Sequence, residues 1–94
     1  MVYTISMRAI ILYRPKSEHA RSVEEFLHIF EDTYPDQTIT LIDMDTIEGN
    51  QLMELYDVME FPAVLVLAGD GAILNSWVGL PLPLADDVVG YLRV

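Results

Sequence analysis

The 94-residue chain contains no cysteine. Its own side chains therefore cannot form a disulfide, a thiolate nucleophile, a zinc–thiolate site or an iron–sulfur cluster. A small fold without disulfides is typical of a reducing compartment. We predict a cytoplasmic protein that needs no metal and no other cofactor.

Basic residues are scarce: five Lys and Arg stand against 15 Asp and Glu, for a formal net charge of −10. Nucleic acids and anionic membranes bind through a basic face of a protein. We therefore expect neither as a partner. The acidity is otherwise typical of a soluble protein.

Long hydrophobic runs are also missing, since no stretch approaches the ~20 apolar residues of a membrane-spanning helix. The N-terminal sequence MVYTISMRAIILYRPK lacks the early positive charge and the cleavage site of a signal peptide. The hydrophobic content of 52% predicts one domain with its own core, over residues 1–94. Met1–Ser6 are expected to be a loose arm or part of the first strand.

The apolar pattern predicts seven elements in the order β-α-β-α-β-β-α. Short apolar or β-branched runs predict strands at residues 9–13, 38–45, 63–68 and 72–78. Apolar spacings of three and four predict helices at residues 17–34, 48–56 and 84–92. The first two strands can pair in parallel through a helical crossover, and a Gly-Asp-Gly turn joins the last two as a hairpin. The fold class is therefore α/β, a three-layer α/β/α arrangement with a four-stranded mixed sheet.

Two residues compete for the N-cap of the first helix. Ser17 is a good N-cap and is followed by an acidic Glu18. Ser22 with Glu25 matches a capping box. The apolar stripe already includes Ala20, so we favour Ser17.

Basic residues cluster at the start of this helix. Arg14, Lys16 and Arg21 are three of the five in the chain, and they flank Ser17 and His19. The N–H groups and dipole of a helix N-terminus favour an anion, so a carboxylate, a phosphate or an acidic peptide is a candidate ligand. The alternative is solvated charge around a loop. Side chains two residues apart on a helix do not face each other, so we predict no Ser–His nucleophile and no catalytic residue.

Two other pairs of polar residues do not support a catalytic or a metal-binding site. Asp43 and Asp45 follow a buried strand, as in phosphatases of the haloacid dehalogenase type, but no lysine follows Lys16 and the chain is too short. We expect the two aspartates to be turn residues or helix caps. His19 and His28 are nine residues apart, on roughly opposite faces of a helix, so they do not form a metal-ligand pair.

The second half of the chain, LYDVMEFPAVLVLAGDGAILNSWVG, carries a recognisable spacing. A helix ends in Tyr-x-Val (Tyr56 and Val58), and Pro62 follows four residues later at the mouth of a strand. A glycine turn and the pair Val78–Gly79 come next. With the element order, these residues resemble the thioredoxin-like superfamily over nearly the whole chain.

The resemblance implies a cis bond between Phe61 and Pro62, close to the N-terminus of the first helix. It also implies that the backbone groups of Phe61 are unpaired and able to accept an extended peptide. The family's activity does not carry over. Where the family has Cys-x-x-Cys, this chain has Ser-Glu-His-Ala at residues 17–20, and dithiol exchange needs a thiolate.

We therefore expect a non-catalytic module that binds an extended segment of a partner protein. The segment would pair with the backbone at Phe61, next to Pro62 and Gly79, with Leu80 on its apolar side. Arg14, Lys16, Ser17 and His19 would favour an acidic partner. Met59 and Leu82 would either complete an apolar rim or fold back on the core.

Two alternatives stay open. One is a glutathione-type small-molecule binder or transferase-like enzyme that uses the N-terminus of the first helix. The other is a structural homodimer that buries the Leu80–Leu84 loop or a sheet edge.

Overall fold

The structure, a computed structural model, describes residues 7–93. All seven predicted elements are present in the predicted order. They are β1 (Arg8–Tyr13), α1 (Ala20–Thr33), β2 (Ile39–Asp43), α2 (Ile47–Leu55), β3 (Ala63–Leu67), β4 (Ile73–Val78) and α3 (Ala85–Leu92). The prediction for Met1–Ser6 lies outside the described residues. None of the helices in the described range is long and apolar enough to cross a membrane.

The four strands form one mixed sheet in the order β2-β1-β3-β4. β1 and β2 are parallel because α1 carries the chain back between them. β3 lies antiparallel to both β1 and β4. The tight turn between β3 and β4 uses Gly71 at a φ of +91°, which few residues other than glycine adopt. The predicted α/β fold with a four-stranded mixed sheet is confirmed.

The core has two layers, one on each face of the sheet, because β1 and β3 are buried on both sides. Successive strand residues point to opposite faces, so neighbours along β1 enter different layers. The layer against α1 and α3 includes Ile11, Val23, Phe26, Phe30, Val64 and Val88. The layer against α2 includes Ile10, Leu12, Ile42, Leu65 and Leu67.

Helix α1 begins later than the sequence predicts. Its N-cap is His19, whose side chain makes no capping hydrogen bond. The hydroxyl of Ser17 donates instead to the carbonyl of Arg14 at 2.6 Å, and Lys16 has a φ of +65°. The prediction of Ser17 as N-cap is wrong because this hydroxyl closes a turn before the helix. The rival start at Ser22 is also wrong, since that residue lies inside α1.

Helix α2 has the side-chain cap that α1 lacks. The hydroxyl of Thr46 accepts a hydrogen bond from the N–H of Gly49 at 3.0 Å. The apolar pattern of the sequence predicts that Leu52, Leu55 and Tyr56 point inward, which is correct for Leu52 and Tyr56, since both pack against the core. The prediction is wrong for Leu55, which is 70% exposed, because Leu52 and Tyr56 are one turn apart and take the inward face.

Candidate functional site

The strand register brings the sequence-predicted binding residues to one end of the sheet. Leu12 and Val78 both pair with Ala63, the first residue of β3. The chain therefore leaves β1, enters β3 and leaves β4 at the same end. We call the group of segments at this end the proline-loop site; its residues are Arg14, Lys16, Ser17, His19, Phe61, Pro62, Gly79 and Leu80.

Phe61 and Pro62 form the centre of the proline-loop site. The peptide bond between them is cis, and the Pro62 side chain is fully buried. The carbonyl of Pro62 accepts a hydrogen bond from the N–H of Gly79 at 2.8 Å. Within residues 7–93, the N–H and C=O of Phe61 make no backbone hydrogen bond. The Phe61 ring packs against the core layer beneath α2, so the backbone groups are held in place by a partly buried side chain.

Two exposed apolar side chains form what we call the apolar rim: Met59, two residues before Phe61, and Leu80, next to the Gly79 that bonds to Pro62. Met59 is 81% exposed and Leu80 is 57% exposed. Leu82 does not join the rim, because it packs against the core layer of α1 and α3. Gly79 has a φ of +76°, and a Cβ atom there would lie 2.9 Å from Oε2 of Glu60. The close carboxylate and the left-handed backbone both favour glycine at this position.

Two of the three basic residues at the start of α1 are paired with acids. The Arg14 guanidinium contacts Asp45, with Nε 3.1 Å from Oδ2 and a second nitrogen 3.3 Å from Oδ1. Arg21 contacts Glu25 one turn along α1 at 3.3 Å. Lys16 makes no ion pair within the described range 7–93. The cationic charge at the helix start is therefore smaller than the sequence indicates.

His19 adds no charge to this region. Its Nε2 accepts a hydrogen bond from the backbone N–H of Arg14 at 3.0 Å, which requires the neutral ring. Burial, and then the nearby charge of Arg14, lower the pKa of His19 below its usual value of 6.5. Ser17 and His19 bond to Arg14 and not to each other, so the geometry holds no Ser–His nucleophile.

Sequence reasoning missed the ion pair between Arg14 and Asp45. A signal was present, because β1 and β2 are parallel and Tyr13 pairs with Asp43, so the residues after both strands meet at one edge. Asp43 acts as a turn residue, as predicted: its Oδ1 accepts from the N–H of Asp45 at 2.8 Å. No group of three acidic or histidine side chains in residues 7–93 is placed to hold a metal ion.

A second surface includes the Leu80–Leu84 loop, which the homodimer alternative would bury, but the groove that this loop forms with α1 was not predicted. It is an apolar groove of about 690 Å³ between α1 and the segment that joins β4 to α3. We call it the α1 groove; its walls include Phe26, Ile29, Leu80, Leu82, Leu84 and Glu25. Leu80 belongs to both surfaces, so the α1 groove is continuous with the proline-loop site.

No protein-family model and no curated protein match the sequence. Among solved structures, the chain is similar to oxidised thioredoxin O2 of Arabidopsis thaliana, with 15% identity and a TM-score of 0.68 over 94% of this chain and 73% of that one. Oxidised mitochondrial thioredoxin 3 of Saccharomyces cerevisiae gives 16% identity and a TM-score of 0.68 over 94% and 77%. The germline-specific thioredoxin Deadhead of Drosophila melanogaster gives 18% and 0.69 over 94% and 79%.

These likenesses establish the fold and nothing further, because the identities are low. The β-α-β-α-β-β-α order and the mixed sheet agree with them. Dithiol exchange by this chain's own side chains is excluded, since it has no cysteine. The chain is thus a domain of thioredoxin-like fold that lacks the Cys-x-x-Cys motif.

Proposed function

We propose that the chain is a non-catalytic protein-interaction module that binds an extended partner segment at the proline-loop site. The observation that carries the proposal is the Phe61 backbone, which makes no backbone hydrogen bond within residues 7–93. The exposed side chains of Met59, two residues before it, and of Leu80, next to Gly79, accompany it. Backbone N–H and C=O groups at the end of a sheet are ready partners for another extended chain.

Such a complex would combine backbone pairing with apolar contact. The N–H of Phe61 donates to a carbonyl of the partner, and its C=O accepts from a partner N–H. Alternate side chains of an extended segment point the same way, so every second residue lies over the apolar rim.

The polar groups of the α1 turn support a binding role over a catalytic one. The hydroxyl of Ser17, the guanidinium of Arg14 and Nε2 of His19 are each already hydrogen-bonded within the protein. A nucleophile or a glutathione-type site at this turn would need at least one of these bonds to break.

Affinity capture from a lysate of the expressing cells, read by mass spectrometry, tests the proposal. The native chain is compared with Phe61→Asp and Leu80→Asp, which place a charge at the backbone site and on its rim. Leu55→Asp is the matched control, because Leu55 is 70% exposed and is not in the proline-loop site. We expect the same partner with the native chain and L55D, and loss of it with F61D and L80D.

Circular dichroism and thermal unfolding of each variant must accompany the capture, because the Phe61 ring is partly buried. If F61D unfolds, L80D carries the test alone, since Leu80 is mostly exposed. A partner retained equally by all folded variants would contradict the proposal.

A further inference from the structure

We infer that the partner segment runs on from the proline-loop site into the α1 groove, and that this segment is basic as well as apolar. The inference rests on the proposed function and adds the chemical class of the partner. It reverses the expectation of an acidic partner that the sequence alone gives.

The α1 groove exposes large apolar side chains at one place. Ile29 is 58% exposed, Leu80 57% and Leu84 71%. Apolar surface gathered in a concave site, and rimmed by polar residues, is typical of a protein-binding surface. The apolar side chains of the partner segment would be seated here.

The segment that forms one wall of the groove limits how a partner binds. It contains Pro81 and Pro83, neither of which has a backbone N–H. Because the two prolines are two residues apart in the chain, one edge of an extended segment here lacks the N–H groups for a regular backbone ladder. On that edge, binding in the groove would depend on side-chain contacts, with backbone pairing at Phe61.

The net charge of the helices next to the groove favours a basic partner segment. Helix α1 carries four acidic residues and one arginine, a net charge of −3. Helix α3 begins with Asp86 and Asp87 and contains no basic residue. The joining segment 80–85 is uncharged. Among these acids Glu25 lines the groove, where it contacts Arg21 in an exposed pair. A Lys or Arg of the partner would face this carboxylate and the net negative charge of α1, with its aliphatic stem lying along the groove.

The same charges disfavour two other occupants of the α1 groove, a second copy of the chain and an acidic segment. A second copy of the chain would bring two molecules of net charge −10 together along their acidic helices. An acidic segment would meet the same repulsion. Most of the basic groups that would have attracted it are engaged within the chain: Arg14 contacts Asp45, and His19 accepts a hydrogen bond as a neutral ring. Arg21 contacts Glu25, so Lys16 alone of these groups has no ion pair in residues 7–93.

A display library of random peptides of about 12 residues, long enough to span the site in extended form, supplies the probe. The native chain is the bait, and the most enriched peptide is synthesised with a fluorophore. We expect enriched peptides to combine at least two apolar residues with Lys or Arg. Fluorescence anisotropy then gives the dissociation constant for each variant.

Two substitutions address the groove and one serves as control. Ile29→Glu places an acid among the apolar walls, and Glu25→Lys reverses the charge at the groove. Glu31→Lys makes the same charge change on α1 outside the groove lining. We expect I29E to weaken binding about tenfold or more and E25K several-fold, with a smaller effect of E31K. All three positions are exposed in the native chain, so we expect the three variants to fold.

The outcomes separate this inference from the proposed function. If F61D abolishes binding while I29E and E25K leave it unchanged, or if the enriched peptides are acidic, the inference is overturned and the proposed function stands. If I29E weakens binding but F61D does not, the proline-loop site is not used and both are overturned. Failure to enrich any peptide also overturns both. Loss of binding with F61D, I29E and E25K, but not E31K, supports both.

Discussion

At the scale of single residues, His19 links the turn before α1 to the start of the helix. Its Nε2 accepts the backbone N–H of Arg14, and burial followed by the Arg14 charge lowers its pKa below 6.5. The folded state therefore favours the neutral ring. This contribution to stability is fully present above pH 6.5 and is lost as the pH falls through the folded-state pKa. An NMR titration of the His19 ring protons should give a midpoint below 6.5.

The same titration of the chain unfolded in urea is the control for His19, since unfolding removes both causes of the shift. We expect a higher midpoint in urea than in the native protein. A native midpoint at or above the unfolded one would contradict the hydrogen bond to Arg14, because a protonated ring has no acceptor nitrogen.

Two glycines in helices make a second test at this scale. A Cβ at Gly49 would lie 2.3 Å from the carbonyl oxygen of Asp43, whereas a Cβ at Gly90 meets nothing within 4 Å. Gly49→Ala should therefore lower the free energy of unfolding by at least about 2 kcal/mol, since backbone atoms must move. Gly90→Ala should raise it by about 0.5–1 kcal/mol, because alanine is the better helix former.

Urea denaturation followed by circular dichroism measures both alanine variants. Equal stabilities of G49A and the native chain would show that α2 does not pack on the end of β2 as described. The Gly90 variant controls for the general effect of alanine in a helix.

At the residue scale, sequence reasoning pointed to Phe61 and Leu80 through a family spacing, and their role in binding stays a prediction. It failed for Ser17, because a serine hydroxyl serves equally well as a helix cap or as a donor to a nearby carbonyl. It also missed the contact between Arg14 and Asp45, which are far apart in sequence and meet only through the parallel pairing of β1 and β2.

At the scale of elements, the two helix starts differ in how they are capped. Thr46 caps α2 with its side chain, whereas Ser17 lies outside α1 and bonds to Arg14. We expect Thr46→Ala to lower the free energy of unfolding by about 1 kcal/mol, through loss of the bond to Gly49. Ser17→Ala should cost less, because its bond lies in an exposed turn.

Thermal or urea unfolding of T46A, S17A and the native chain tests whether Thr46 caps α2 and whether Ser17 caps α1. A larger cost for S17A than for T46A would indicate that Ser17 does cap α1 in solution, as its sequence position predicts.

Whether a segment is a helix or a strand can be predicted from the sequence, because the spacing of its apolar residues is regular. The apolar stripe of α1 and the unbroken apolar run of β3 each fit one kind of structure. Element ends do not follow as well, since local side-chain hydrogen bonds decide them, as in the turn before α1. The α1 groove was also beyond sequence reasoning, because it depends on how Leu80–Ala85 passes over α1.

At the scale of the whole molecule, net charge affects stability. The chain carries −10, and its described ion pairs lie between side chains that are at least half exposed. Exposed pairs contribute little, so salt removes more repulsion than attraction. We expect the midpoint of thermal unfolding at pH 7 to rise by a few degrees as sodium chloride increases from ~10 to ~150 mM. A fall in the midpoint would show that the exposed pairs dominate.

The fold of the whole molecule is determined more firmly than its function. Identities of 15–18% to three thioredoxins still accompany TM-scores of 0.68–0.69. The shared architecture brings the ends of β1, β3 and β4 together. In residues 7–93, this end of the sheet leaves the Phe61 backbone without a backbone hydrogen bond and exposes Met59 and Leu80.

The most direct measurement of the central claim follows the amide of Phe61 by NMR while the strongest library peptide is added. The account predicts that the Phe61 amide proton shifts downfield and exchanges more slowly with solvent, because its N–H donates to a carbonyl of the peptide. The same peptide with N-methylated backbone amides should bind more weakly, since it cannot donate to the C=O of Phe61. Binding that leaves the shift and the exchange rate of the Phe61 amide unchanged would contradict the account.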